Sequence, residues 1–303
     1  MLTGPRTPKV AVAVAVALLL AGCGSDDDDD DDTKKKPKAS PAAKESPRPG
    51  DQRVTITWKG QKRMYAVHAP PAYTPAKKLP LVIAMHPYPS DGGYAAKLTG
   101  LNAKADKEGF LVAYPDGLNQ AYNALICCGS EDDVGFISTM TKRLLTTWQA
   151  DPDRVYATGI SNGADMAFKL AVELPGTLAA IAPVSGGYIG PSANNAAYMP
   201  KSPVSVVTFV GGLDQNHKIM EIGISTWHER LACKAGRTVK VKDNNTRTPA
   251  KCRDQSEFLT YRLPDMGHNW PGSNDPGMGD PVTGVNATDL IWEFFKAHPR
   301  KLS

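Results

Sequence analysis

Strands that alternate with helices along most of the chain predict a mostly parallel, doubly wound α/β sheet with an antiparallel hairpin at its N-terminal end. Three observations carry that reading. "LPLVIAMH", Leu79 to His86, is a nearly unbroken apolar run, the mark of a strand buried on both faces. "RVYATGI", ending at Ile160, and "PVSVVTFVGG", ending at Gly212, are further apolar runs, each followed by residues at helical spacing. Val54–Trp58 and Arg63–His68 alternate around Lys59-Gly60, which reads as the hairpin.

The remaining elements follow in order. After "LPLVIAMH" one helix is expected over 94–108, closed by Gly109, and then the strand "FLVAYP". Phe136, Met140, Leu144 and Trp148 fall at helical spacing within 133–149. "RVYATGI" leads into a helix over 162–174, stopped by Pro175-Gly176. "LAAIAPVSG" and "PVSVVTFVGG" are strands, 219–232 a helix, "EFLTYRLP" a strand and 287–297 a closing helix. Ligands of such sheets bind outside the carboxyl ends of the strands, so chemistry is sought there.

Ahead of this domain the chain is organised differently. Arg6 and Lys9, an apolar run from Val10 to Leu20, and Leu20-Ala21-Gly22-Cys23 read as a lipoprotein signal over 1–22, with Cys23 as the lipidated first mature residue. The run is too short for a comfortable membrane span. Asp26–Asp32 and Lys34, Lys35, Lys36 and Lys38 stand among Pro, Ala and Ser, with no apolar periodicity to offset the entropy of ordering. Residues 23–50 are therefore expected to be a disordered, self-repelling tether, with reach on the order of 80 Å. The implied location is the cell envelope, lipid-anchored to the outer face of a bacterial cytoplasmic membrane. Residues 51–303 suit one α/β domain. The net charge is a modest +4 with no basic stripe carrying aromatics, which argues against a nucleic-acid partner.

Apart from Cys23, four cysteines remain in a chain read as exported. Cys233 and Cys252 flank a polar, strand-poor stretch and are the expected disulfide, worth about 3 kcal/mol of loop closure. Cys127 and Cys128 are then a vicinal bridge or two free thiols. No His stands at ligand spacing beside them, so no metal site is read there.

Gly159-Ile160-Ser161-Asn162-Gly163 fits G-x-S-x-G, and it falls where a strand ends and a helix begins. That context turns a common pentapeptide into a candidate nucleophile elbow. A serine hydroxyl needs a base, and the base an orienting acid, in the chain order Ser, acid, His. His268 follows the strand "EFLTYRLP" on the glycine-rich loop "DMGHNWPG" and is preferred as base over His217. His228 and His298 fall in helices. Asp214, just past the strand in "VVTFVGGLDQNH", is the expected acid; Asp265 is its rival, and Asp243 and Asp254 lie in the polar Cys233–Cys252 segment. The oxyanion donors are expected to be the backbone N–H groups of Asn162 and of Tyr88, since Pro87 has none to give. His86 either lines that hole or merely closes a strand. No metal or organic cofactor is required by this chemistry.

The domain resembles the bacterial secreted esterases of the polyhydroxybutyrate depolymerase and feruloyl esterase family, within the α/β-hydrolases. The resemblance spans about Met64 to Phe295, through "LPLVIAMH", "LTGLNAKADKEGFLVAYPDG", "CCGSEDDVGF", "DPDRVYATGISNGADMAFKLA", "GGLD" and "GHNWPG". It implies an α/β-hydrolase fold and a catalytic triad of Ser161, Asp214 and His268, with Trp270 at the mouth of the site or packing its loop. Three positions depart from the family pattern. His86-Pro87 stands where His-Gly is usual, Asp165 where a glycine or apolar residue is usual, and Gly211-Gly212 where His-Gly often precedes the acid. Asp165 is expected to point to solvent and complement the helix dipole.

The function expected is a membrane-tethered serine esterase, acting on feruloyl- or acetyl-type esters or on 3-hydroxybutyrate polyester or oligomers. A serine peptidase or amidase shares the chemistry. A hydrolase-fold lipoprotein that binds without turnover is the alternative from another class. Covalent labelling of Ser161 by a fluorophosphonate separates it from the enzymes.

Overall fold

The structure, a computed structural model, describes residues 46–300. The signal expected over 1–22, Cys23 and residues 24–45 of the tether expected over 23–50 lie outside the described residues, and Gly50, the last residue of that tether, begins a strand instead. β1 (Gly50–Trp58) and β2 (Gln61–Ala69) form the expected antiparallel hairpin. They are followed by β3 (Leu79–Met85), α1 (Gly92–Thr99), α2 (Leu101–Glu108), β4 (Leu111–Pro115), α3 (Asp133–Thr147), β5 (Ala150–Ile160), α4 (Asn162–Glu173) and β6 (Ala180–Val184). Then come α5 (Pro191–Asn194), β7 (Ser205–Gly211), α6 (His217–Arg230), the short β8 (Lys234–Ala235) and β9 (Val239–Lys240), β10 (Thr246–Lys251) and β11 (Glu257–Leu263). A two-stranded pair, β12 (Trp270–Pro271) and β13 (Gly279–Asp280), precedes α7 (Ala287–Ala297).

The main sheet runs β1-β2-β4-β3-β5-β6-β7-β11-β10-β8, with β9 also paired to β10. From β4 through β11 the neighbours are parallel, and the strands at both edges are antiparallel. The apolar run of β3 divides by parity. Leu81, Ile83 and Met85 pack with α3, α4 and α6, whereas Val82 and Ala84 pack with α1, α2 and α7. A central strand covered on both faces needs no polar alternation.

Two expectations are corrected. The single helix over 94–108 is two, broken at Gly100, whose φ of 62° is left-handed and ends α1. The segment between Cys233 and Cys252 is not strand-poor: β10 extends the sheet there through antiparallel pairing with β11. Cys233 and Cys252 are disulfide-bonded, as expected. Among the described residues no helix is long and apolar enough to cross a membrane.

A buried ion pair ties β2 to α3. The Arg63 guanidinium donates to Asp133 Oδ1 at 2.5 Å and lies over the Phe136 ring, while Asp133 Oδ2 accepts from the Asn123 amide at 2.7 Å. Both charged side chains are about fully buried. Arg63→Met should therefore cost about 3–5 kcal/mol, because it leaves the carboxylate buried without its partner. Urea denaturation of the variant beside the wild type measures this, and a loss well under 1 kcal/mol would contradict it.

Candidate active site

Ser161, Asp214 and His268 each follow the C-terminal end of a parallel strand, namely β5, β7 and β11. Ser161 has φ 57° and ψ −123°, a conformation that a non-glycine residue adopts only where the surroundings enforce it. What enforces it is close packing of α4 on the strand ends. A Cβ on Gly159 would meet the Gly163 backbone at 2.6 Å, and one on Gly163 would meet the Met85 carbonyl oxygen at 2.4 Å. The two glycines of the pentapeptide therefore let helix and strand approach, and Ser161 projects from the turn between them.

Asp214 and His268 are brought together by the pairing of β7 with β11, which places Gly211 opposite Leu263. The Gly212 amide donates to Leu263 O and the Leu213 amide to Met266 O, both at 2.9 Å, so the two following loops run side by side. A Cβ on Gly211 would strike the Gly267 carbonyl oxygen at 2.4 Å, and one on Gly212 the Pro264 carbonyl oxygen at 2.4 Å. Gly211-Gly212, one of the departures from the family pattern, is thus what this close approach requires. Asp214 Oδ2 accepts from His268 Nδ1 at 2.7 Å, and Asp214 Oδ1 accepts from the Asn216 amide at 2.8 Å. A carboxylate acceptor at Nδ1 fixes the proton there and leaves Nε2 with its lone pair.

His268 and Ser161 line one cavity of about 200 Å³. The rivals are elsewhere. His217 Nδ1 bonds the Gly211 carbonyl at the start of α6, and Asp265 accepts from Asn244. His228 packs edge-on against Phe258, and His298 bonds the Phe294 carbonyl. Asp254 accepts from Ser256 in its own turn.

Tyr88 and Asn162 both line the cavity. The first N–H groups of α4, Asn162 among them, have no partner within the helix, as at any helix start. The Asn162 side chain is buried and tied down on both sides: Oδ1 accepts from the Tyr122 amide at 2.9 Å, and Nδ2 donates to Tyr122 O at 3.1 Å and Cys127 O at 3.0 Å. Its contact with the Cys127–Cys128 loop brings a feature whose place the sequence did not reveal. The two cysteines are disulfide-bonded to each other and form part of the cavity wall.

Two open readings are decided and one expectation is corrected. His86 is fully buried and does not line the cavity. Its Nδ1 donates to Pro87 O at 2.7 Å and its Nε2 accepts from the Gly117 amide at 2.9 Å. Burial holds its pKa below the usual value, so the neutral ring braces the loop that carries Tyr88. Trp270 is not at the mouth: it is fully buried against α7, and its Nε1 donates to Thr288 Oγ1 at 3.0 Å. Asp165 does not face solvent. It is 5 % exposed, lines the cavity, and accepts the Gly187 amide at 2.8 Å. The turn after β6 covers the start of α4, and nothing local in the sequence announces that cover.

Burial pushes the Asp165 carboxyl up to about 7, with the Gly187 amide and the charge of His268 offsetting part of the effect. The unfolded value is about 3.9, so the folded state holds the proton more tightly. The penalty for ionising it in the folded state grows as pH rises from about 4 and is complete above about 7. Asp165→Asn should therefore gain stability relative to the wild type across that window. Paired urea titrations between pH 4 and 8 check this, and a difference that does not change with pH would contradict it.

Among the described residues no three or more His, Cys, Asp or Glu side chains cluster to hold a metal ion.

Residues 63–202 match the family described as Esterase PHB depolymerase. A putative esterase, NocK, of Nocardia uniformis subsp. tsuyamanensis is 33% identical over 165 residues, which cover 51% of this chain and 46% of that protein. Feruloyl esterase B of Piromyces equi is 29% identical over 156 residues, covering 50% of this chain and 29% of that protein. The chain thus spans less than half the length of these two curated relatives. The solved acetyl xylan esterase from Aspergillus awamori superposes with a TM-score of 0.60 over 81% of this chain and 99% of that one, at 15% identity, a likeness of fold. Residues 63–202 are thus similar to the Esterase PHB depolymerase family, on a chain whose fold is that of the α/β-hydrolases.

Proposed function

We propose that the protein is a serine esterase that hydrolyses carboxylic esters through an acyl-enzyme. The observation that carries this reading is the 2.7 Å bond from His268 Nδ1 to Asp214, with His268 and the elbow-held Ser161 lining one cavity. Ser161 Oγ attacks the ester carbonyl while His268 Nε2 takes its proton. The carbonyl oxygen becomes an oxyanion, stabilised by the amides of Asn162 and Tyr88. The intermediate collapses with cleavage of the ester C–O bond, and His268 returns the proton to the departing alcohol. Water then attacks the acyl-enzyme with His268 again as base, releasing the acid and restoring Ser161. Asp214 stays ionised throughout and holds the imidazolium that forms at each stage.

Initial rates on short-chain p-nitrophenyl esters, methyl ferulate and 3-hydroxybutyrate oligomers test the reading and choose among its substrate branches. Turnover by the wild type with none by Ser161→Ala supports it; silence on every ester overturns it.

The same proposal places the enzyme outside the cell, held to the membrane through lipidated Cys23 and the charged tether. Two or more acyl chains would anchor it stably, whereas one binds only marginally. Cys23→Ala is expected to abolish incorporation of radiolabelled palmitate and to move the protein out of the membrane fraction. A wild type that takes up no palmitate would contradict the anchor and leave the esterase reading intact.

A further inference from the structure

One carboxyl group in the cavity has no part in the proposed chemistry. Asp165 stands about one helical turn beyond Ser161 and lines the same space. Its Oδ1 is engaged by the Gly187 amide, and among the described residues no other hydrogen bond or ion pair reaches it. Holding Gly187 does not by itself call for an acid, since asparagine offers the same oxygen without burying an ionisable group. The walls around it are largely apolar, with Ile126, Ile189, Ile219 and Met220 among them. Asp165 lines this cavity, so its second carboxyl oxygen is open to a hydrogen-bond donor that enters it.

We propose that Asp165 is the specificity-determining residue of this cavity, and that it selects esters of short acids carrying an O–H or N–H donor a few bonds from the ester carbonyl. The proposal rests on the serine esterase reading and deepens it. The cavity, about 200 Å³, has room for a short acyl group beside Asp165. A hydroxyl and an ammonium supply the same chemistry, a donor to the carboxyl oxygen. With burial pushing the group up to about 7, it is present near neutrality both as an acid that donates and as a carboxylate that accepts. Interior units of a 3-hydroxy-acid polyester, whose oxygens are acylated, carry no such donor and are disfavoured.

The test uses the purified full chain and the methyl esters of butyric, 3-hydroxybutyric and 3-aminobutyric acids, comparing kcat/KM as ratios within each protein. The wild type should favour at least one donor-bearing ester over butyrate. That ratio should fall at least tenfold in Asp165→Leu, and likewise in Asp165→Ala should the leucine variant not fold. Fluorophosphonate labelling of Ser161 shows that each variant keeps a formed site. Asp165→Asn distinguishes the sources. Its amide nitrogen still suits a hydroxyl but opposes an ammonium, so a wild-type preference for the amino ester that Asp165→Asn loses marks an ammonium, and a wild-type preference for the hydroxy ester that Asp165→Asn keeps marks a hydroxyl. A wild type that hydrolyses esters without favouring either donor-bearing one overturns the inference, as does a ratio unchanged in the leucine and alanine variants. A wild type that neither hydrolyses any ester nor labels overturns the esterase reading along with it.

Discussion

Ser161→Ala is expected to lower kcat/KM by roughly 10⁵–10⁶, the scale on which loss of an activated serine nucleophile is felt in other serine hydrolases. The size follows from what alanine removes. No covalent acyl-enzyme can form, so any residual reaction must proceed by direct attack of water, aided by the oxyanion donors alone. The substitution removes one oxygen at the turn between β5 and α4 and leaves the Gly159 and Gly163 contacts with the Met85 carbonyl in place. The fold should therefore persist, and urea denaturation of the variant should overlay that of the wild type. Activity within tenfold of the wild type would place the nucleophile elsewhere.

Asp214→Asn carries the second largest expected effect, a loss of roughly 10⁴ in kcat. Its reason is the tautomer rather than the geometry. The carboxylate accepts from His268 Nδ1 at 2.7 Å and so keeps the proton on that nitrogen. An asparagine can present its N–H₂ to the ring instead, which makes Nδ1 the acceptor and moves the proton to Nε2. The base is then blocked although every atom is close to its original position. The other oxygen of Asp214 takes the Asn216 amide, and an asparagine that turns its oxygen to keep this bond presents the wrong group to His268. Stopped-flow release of p-nitrophenol should show both acylation and deacylation slowed, since His268 serves both. Loss of less than tenfold would mean that Asp214 does not orient the base.

The legible and illegible parts of the molecule divide by locality. β3, β7 and residues 155–160 of β5 are readable because a central stretch covered on both faces needs no polar alternation. Ser161, Asp214 and His268 could be selected because each lies in the turn or loop after a parallel strand, and parallel strands deliver their ends to one edge of the sheet. Gly100 was read as part of one helix because its side chain gives no periodicity signal, and only the positive φ reveals the break. Asp165 was misread for a different reason. A first-turn acid on a helix suits the dipole in isolation, but here the Gly186-Gly187 turn, distant in sequence, closes over it. Trp270 shares a loop with His268, yet the chain turns between them and sends the indole to Thr288 on α7. The place of Cys127–Cys128 in the cavity wall depends on Asn123 being anchored to Asp133 and on Asn162 holding the Cys127 carbonyl. Those contacts join three separate segments, and none of them leaves a periodic trace.

The most direct test of the account is the intact mass of the purified chain after exposure to an active-site-directed fluorophosphonate, followed by peptide mapping. One adduct per chain, carried by Ser161 and absent from Ser161→Ala, is the predicted result. An unmodified chain, or an adduct on any other residue, would contradict the claim that Ser161 is the nucleophile.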